Sequence, residues 1–147
     1  MTTTITCRQV TAAEILSLRA AELRKEKPVE SARFPEDEWE TTLHYGAFIQ
    51  EMLAGCVTLI HDPEAPIPTW QLRGMATDTE RQQQGVGSIL WQYAENDLRT
   101  RHPSFRVWCN ARVNALPFYI KVGFTIISGG FVIESIGLHY KMEKLIM

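Results

Sequence analysis

Residues 81–88 read Arg81-Gln82-Gln83-Gln84-Gly85-Val86-Gly87-Ser88, and this stretch decides how the rest of the chain is read. Before it, residues 70–77 (WQLRGMAT) read as a strand whose alternation Gly74 interrupts, which predicts a bulge. After it, Val86, Ile89, Leu90, Tyr93, Ala94 and Leu98 recur at spacings that share one helical face, predicting a core-facing helix over 85–99. The unit is therefore strand, glycine-bearing turn, helix. Two glycines let a ligand approach the backbone closely, and the free N–H groups and positive dipole end of a helix start favour phosphate oxygens. A diphosphate suits such a turn. The motif is neither the dinucleotide G-x-G-x-x-G nor the P-loop, so in isolation glycines used only to turn into a helix are the better explanation.

Outward from this unit the periodicity keeps changing between two and 3.6. Residues 3–10 read as a short strand, and Thr11 to Glu14 has capping-box spacing ahead of Leu16, Ala20 and Leu23, which predicts a helix ending before Pro28. Residues 28–42 carry two prolines and the acids Glu36, Asp37, Glu38 and Glu40, and predict loop with one helical turn around 36–41. Residues 44–50 and 53–60 predict a hairpin joined at Glu51 and Met52, although Asn-Gly turn chemistry is missing. Three prolines in 62–69 impose an irregular connection. Phe105, Val107 and Cys109 alternate with polar neighbours as a further strand; a helix follows over 113–121, stopped by Gly123, and strands at 124–127 and 138–146 close the chain. The expectation is one α/β domain over residues 1–147, built on a mixed, mostly antiparallel sheet of about seven strands with flanking helices.

Composition removes several function classes. The 147 residues include 15 Lys+Arg against 17 Asp+Glu, a formal net charge of -2, which argues against a phosphate-backbone binder and predicts no nucleic-acid partner. Cys7, Cys56 and Cys109 stand far apart without CxxC or CxxH spacing, so no metal site and no disulfide framework are expected. The first ten residues lack a leader's basic and apolar regions, and no stretch reaches the roughly 18 to 20 apolar residues of a membrane span; no membrane association and a cytoplasmic location are expected.

Three separated segments, WQLRGMAT, RQQQGVGS and WCNARVNALPFYIKVGF, agree in order and spacing with the GNAT superfamily of acetyl-CoA-dependent N-acyltransferases, which the chain resembles over about residues 43–145 and more loosely in its first helix. The resemblance implies splayed central strands and a [Q/R]-x-x-G-x-[G/A] loop around the coenzyme diphosphate, here Gln82, Gly85 and Gly87, with Gln83, Gln84, Val86 and Ser88 beside them. It further implies that Met75, Ala76 and Thr77 offer backbone groups to the pantetheine and the developing oxyanion, and that the later helix reads Ala115, Phe118, Tyr119, Gly123 and Phe124 in family register. Arg112 stands where the family often has Asn and is expected at a coenzyme phosphate or carbonyl; Phe118 is expected beside the coenzyme.

The chemistry implied is aminolysis of acetyl-CoA, the co-substrate, by the amine of a small-molecule or peptide acceptor. Tyr119 is the expected general acid toward the leaving thiolate, since an ordinary phenol pKa of about 10 suits that transfer. His44 and His139 are both candidate bases, each also accounted for structurally, and His139 is the one expected at the site; Glu134 and the acids at 36–40 could attract a cationic amine or relay its proton through water. Phe34, Trp39 and Trp70 are candidate acceptor-pocket aromatics, and the acidic cluster at 36–40 predicts attraction of cationic acceptors entering between residues 28–45 and the C-terminal strands. A homodimer is compatible with the resemblance, and a coenzyme-binding regulatory domain without turnover is the alternative function.

Overall fold

The computed structural model describes residues 4–147. Thr3, placed in the first strand by sequence, lies outside them. Eight strands form one sheet: β1 (Thr6–Val10), β2 (Leu43–Ile49), β3 (Met52–His61), β4 (Thr69–Thr77), β5 (Phe105–Arg112), β6 (Thr125–Ile126), β7 (Phe131–Ile133) and β8 (Gly137–Ile146). The order is β1-β2-β3-β4-β5-β8-β6, with β7 also pairing with β8, and every pairing is antiparallel except β4 with β5. The mixed, mostly antiparallel sheet is therefore present, with one strand more than expected. β7 is three residues long, too short for its alternation to stand out from the glycine-rich run before it.

Three helices cover the sheet: α1 (Ala12–Leu23), α2 (Val86–Arg101) and α3 (Leu116–Lys121). α1 starts where its capping box says. The Thr11 hydroxyl accepts from the Glu14 N–H at 3.3 Å, and the Glu14 carboxylate accepts from the Thr11 N–H at 3.0 Å. It packs Ile15 against Val10, Cys56 and Ala76 on one sheet face. α2 and α3 lie over the other face, where Leu90, Trp91, Leu98, Val107 and Met142 join the main core. The buried stripe of α2 is rotated from the expected one. Ile89 and Tyr93 are 44% and 37% exposed, while Trp91 and Glu95 are buried instead. Glu95 tolerates this because Lys144 and Arg99 both donate to its carboxylate.

Several boundaries also move. The β2–β3 turn sits at Gln50 and Glu51, both with positive φ (52° and 67°), one residue earlier than expected and without glycine. In the 28–42 segment there are two 3-10 turns, Val29–Ala32 and Pro35–Glu38, rather than one turn at 36–41. The first turn of the later helix, Val113–Ala115, is also 3-10, with Pro117 near the start of α3. Gly123 adopts φ 102°, the left-handed position assigned to it.

Two features of β4 position the site. Cys56 pairs with Ala76 but Thr58 pairs with Arg73, so β4 carries one extra residue around Gly74 and Met75. That is the expected bulge, and only glycine fits it: φ at Gly74 is 64°, and a Cβ there would lie 2.9 Å from Arg19 Nε and 3.2 Å from Phe34. The second feature is the splay. β4 pairs with β5 only from Thr69–Gln71 to Arg106–Trp108, although both strands run on, to Thr77 and Arg112. Beyond Gln71 and Trp108 their facing backbone groups have no ladder partner, and the strands diverge into a cleft.

Candidate active site

The cleft between β4 and β5 opens into two connected halves. The inner surface of both is formed by Met75, Ala76, Thr77, Gln82, Asn114, Ala115 and Tyr119. One half, of about 460 Å³, continues along the start of α2, where Gln83, Gly85, Gly87 and Ser88 face Phe118 and Lys121. The other, of about 480 Å³, runs to the opposite side, between Phe34 and Arg73 on one wall and Arg112, Ile133, Ile136 and His139 on the other. The order of strands sets β8 beside β5 and so brings Ile133, Ile136 and His139 to the cleft.

The α2 end is built to receive an anion. Gly85 caps the helix at φ 81° and supplies no side-chain cap, so the first helical N–H groups have no intrahelical or side-chain acceptor. Gln83 is also left-handed, at φ 65°. Alternating left-handed residues ahead of a helix turn successive N–H groups toward one concavity, a geometry that suits an anion. The two glycines do different work. A Cβ at Gly85 would meet only open space and Ile89 at 4.0 Å, so its requirement is conformational; at Gly87 it would stand 3.0 Å from the Phe118 ring, so its requirement is steric. Of the other loop residues, Gln84 is exposed and lines neither half, and Val86 is buried in the core. Val86 has only its backbone to offer a ligand.

Tyr119 sits where the two halves meet. Its ring packs edge-on against Phe118 and Phe124, and among the described residues its hydroxyl has no hydrogen-bond partner. Burial, then the nearby Cys109, pushes the phenol well above its ordinary pKa. It therefore stays protonated at neutral pH and keeps its O–H available as a donor. Cys109 is an unsuitable nucleophile, since burial pushes its thiol up to about 12.

The two histidines separate cleanly. His139 pairs with Arg112 across β5 and β8, and its Nδ1 lies 2.7 Å from the Gly137 carbonyl oxygen. A carbonyl only accepts, so Nδ1 carries the proton of the neutral ring and Nε2 keeps its lone pair. His44 has no such freedom. Its Nε2 donates to the Asp37 carbonyl at 2.9 Å, its Nδ1 accepts from the Thr58 hydroxyl at 2.8 Å, and Thr58 accepts in turn from Arg19. The candidacy of His44 as a base falls on this geometry: both ring nitrogens are occupied, away from the cleft.

The same network disposes of the acidic cluster. Arg19, 1% exposed, grips Asp37 with two hydrogen bonds of 2.7 and 3.1 Å and also donates to the Ala32 carbonyl. Burial pushes the Asp37 carboxyl up, but the bonds from Arg19 and the Phe34 N–H outweigh it and hold the group below its ordinary value. Glu36 turns to Arg73. None of Glu36, Asp37, Glu38 and Glu40 lines the cleft, and neither does Glu134. Of the three candidate aromatics only Phe34 lines it; Trp39 is 52% exposed elsewhere, and Trp70 is buried among His61, His102 and Phe105. Sequence reading passed over Arg73, whose signal was its place immediately before the bulge glycine.

A splayed parallel pair, a bulge in one of its strands and a helix start without a side-chain cap are the makings of an acyltransferase fold, and comparison with known proteins agrees. The chain belongs to the acetyltransferase (GNAT) domain family, whose family model matches residues 18–146. It is 30% identical over 141 residues to the uncharacterized N-acetyltransferase YitI of Bacillus subtilis, covering 93% of each chain. Among solved structures it is similar to Escherichia coli ElaA, with a TM-score of 0.81 at 14% identity over 96% of this chain and 99% of that one. It is also similar to an aminoglycoside 6'-N-acetyltransferase complexed with coenzyme A, with a TM-score of 0.77 at 17% identity over 97% of both chains. Identities this low speak for the fold alone.

Proposed function

We propose that the chain transfers the acetyl group of acetyl-CoA directly to an amine. The observation that carries this reading is the continuity of the cleft: an anion cradle at one end, free strand edges in the middle, and Tyr119 and His139 further in. Acetyl-CoA, when bound, supplies an activated thioester. The loop from Gln82 to Ser88 would hold its diphosphate through backbone N–H groups, with Gly87 leaving room and Phe118 forming a wall. The unpaired edge of β4 from Met75 to Thr77 would take the pantetheine amides as an added strand and present an N–H to the carbonyl oxygen as negative charge develops.

The amine must lose a proton and the sulfur must gain one. His139 Nε2 accepts the first, directly or through one water, because Nδ1 is held by Gly137. Tyr119 donates the second, from a phenol that burial keeps protonated. No metal is assigned: among the described residues no group of three or more His, Cys, Asp and Glu could hold one, and the residues present account for each proton.

Titration with CoA, read by thermal unfolding, tests the reading first. A ligand that binds only the native state at 100 times its Kd adds about 2.7 kcal/mol, which for a domain of this size raises Tm by roughly 5 to 10 °C. A continuous assay of thiol release over an amine panel then tests turnover. No Tm shift at millimolar CoA overturns the coenzyme site; a shift without thiol release under any amine overturns the transfer.

A further inference from the structure

The acceptor half of the cleft carries the wrong charge for a cationic acceptor. Arg24, Arg73 and Arg112 line it against the single carboxylate of Glu22, and that carboxylate is already taken by the Thr79 N–H and hydroxyl. The acids that would have attracted a cation face elsewhere. What remains at the cleft is cationic.

Two of these arginines have donors to spare. The Arg112 side chain makes no hydrogen bond or ion pair among the described residues, and its position opposite His139 on β8 puts the two side chains on one sheet face. Arg73 is held in place without being used up. Its guanidinium lies over the Phe34 ring, 4.1 Å from the centroid, while Arg19 lies over the same ring at 3.9 Å. Stacking fixes the guanidinium plane but leaves its in-plane N–H groups free, and the one ion pair it makes, to Glu36, is long at 3.4 Å. The buried Arg19–Asp37 pair anchors the whole stack from below, since Asp37 also accepts from the Phe34 N–H. A rigid planar fork facing a cleft is the device that reads a carboxylate. Ile133, Ile136 and Phe34 supply apolar wall beside it.

We infer that the acceptor is an amine bearing a carboxylate, read by Arg73 and Arg112, with an apolar substituent against Ile133, Ile136 and Phe34. This rests on the acetyl-transfer reading above and deepens it. Arg112, expected from sequence at the coenzyme, is here assigned to the acceptor; the loop half of the cleft does not include it.

The test uses matched amines that differ only in the carboxylate: L-phenylalanine with 2-phenylethylamine, and L-leucine with isoamylamine. For each pair the ratio of kcat/KM values is measured at fixed acetyl-CoA. The wild-type protein should favour the carboxylate member by at least about tenfold, the lower end of what a charge-assisted hydrogen bond contributes. R73Q and R112Q should each reduce that ratio by roughly ten to a hundredfold, and R73K, which keeps the charge but not the fork, should restore part of it. A merely structural Arg73 would lower both members together and leave the ratio alone. The inference is overturned if wild type favours the decarboxylated member, if the ratio survives in the R73Q/R112Q protein, or if phosphate in O-phosphoethanolamine against ethanolamine gains more than carboxylate does. CoA titration separates the two levels: failure to bind CoA removes the acetyl-transfer reading itself, whereas CoA binding with turnover of decarboxylated amines only removes this inference alone.

Discussion

Replacing Tyr119 by Phe removes one oxygen atom and, in this structure, no protein hydrogen bond. The hydroxyl has no partner among the described residues, and the ring contacts with Phe118 and Phe124 are kept. Stability should therefore change by no more than about 0.5 kcal/mol, the range of substitutions that break no packing or buried polar contact. The transition state loses its proton donor to the leaving sulfur. General acid catalysis by a positioned side chain contributes roughly a hundred to ten-thousandfold, and water reaching an open cleft recovers part of it, so a fall in kcat of about ten to a thousandfold is expected. At 1.36 kcal/mol per tenfold this is about 1.4 to 4 kcal/mol. Single-turnover thiol release at saturating acetyl-CoA measures it, with CoA affinity from calorimetry and Tm from unfolding as controls. Because burial holds the wild-type phenol above its ordinary pKa, the activity attributable to it should show no loss between pH 7 and about 10. A fall in kcat of less than threefold with chemistry limiting, or a Tm loss of more than a few degrees, refutes the assignment and returns Tyr119 to the core.

The remaining predictions concern the loop, the buried network and the thiols. Gly87→Ala should weaken CoA binding at least tenfold, because its Cβ at 3.0 Å forces Phe118 toward the ligand, while Gly85→Ala should also cost about 1 kcal/mol of stability through its left-handed backbone; equal Kd values for wild type and Gly87→Ala count against the cradle. Arg19→Met leaves Asp37 buried and unpaired, and should cost about 3 to 5 kcal/mol in urea unfolding, whereas Arg19→Met with Asp37→Leu should cost much less than the sum of the two single changes. Asp37 titrates below its ordinary value in the folded state, so its contribution is present above about pH 4 and is lost as pH falls through the folded pKa; Asp37→Asn should flatten the stability profile there, and an unchanged profile refutes the linkage. In native protein at pH 8, iodoacetamide should label Cys7 first, since Cys56 and Cys109 are buried and their thiols are pushed up to about 12; mass spectrometry showing either of them modified before Cys7 would contradict the placement.

Local rules were sufficient wherever the decisive interaction lies within a few residues. The Thr11–Glu14 capping box, the left-handed Gly123 and the glycine bulge in β4 are all legible because each needs only its own neighbours. The loop at 82–88 is legible for the same reason: an uncapped helix start and its glycines are properties of one segment. The two halves of the cleft are not local. Which histidine keeps a free nitrogen depends on Gly137 two residues along for His139, but on Asp37 and Thr58 from separate elements for His44. The acidic cluster at 36–40 looked like a lure for cations because a sequence shows charges without their partners; folding spends Asp37 on Arg19 and Glu36 on Arg73. Arg19 itself occupies the apolar stripe of α1, a place periodicity alone assigns to a hydrophobic residue. The sign of the charge that faces the acceptor is thus set by long-range pairing across the sheet, and long-range pairing is a property of the tertiary structure: only once α1, the 28–42 segment and β4 are packed together does it emerge that Arg24, Arg73 and Arg112 line this half of the cleft, with only Arg73 ion-paired among the described residues, at 3.4 Å to Glu36.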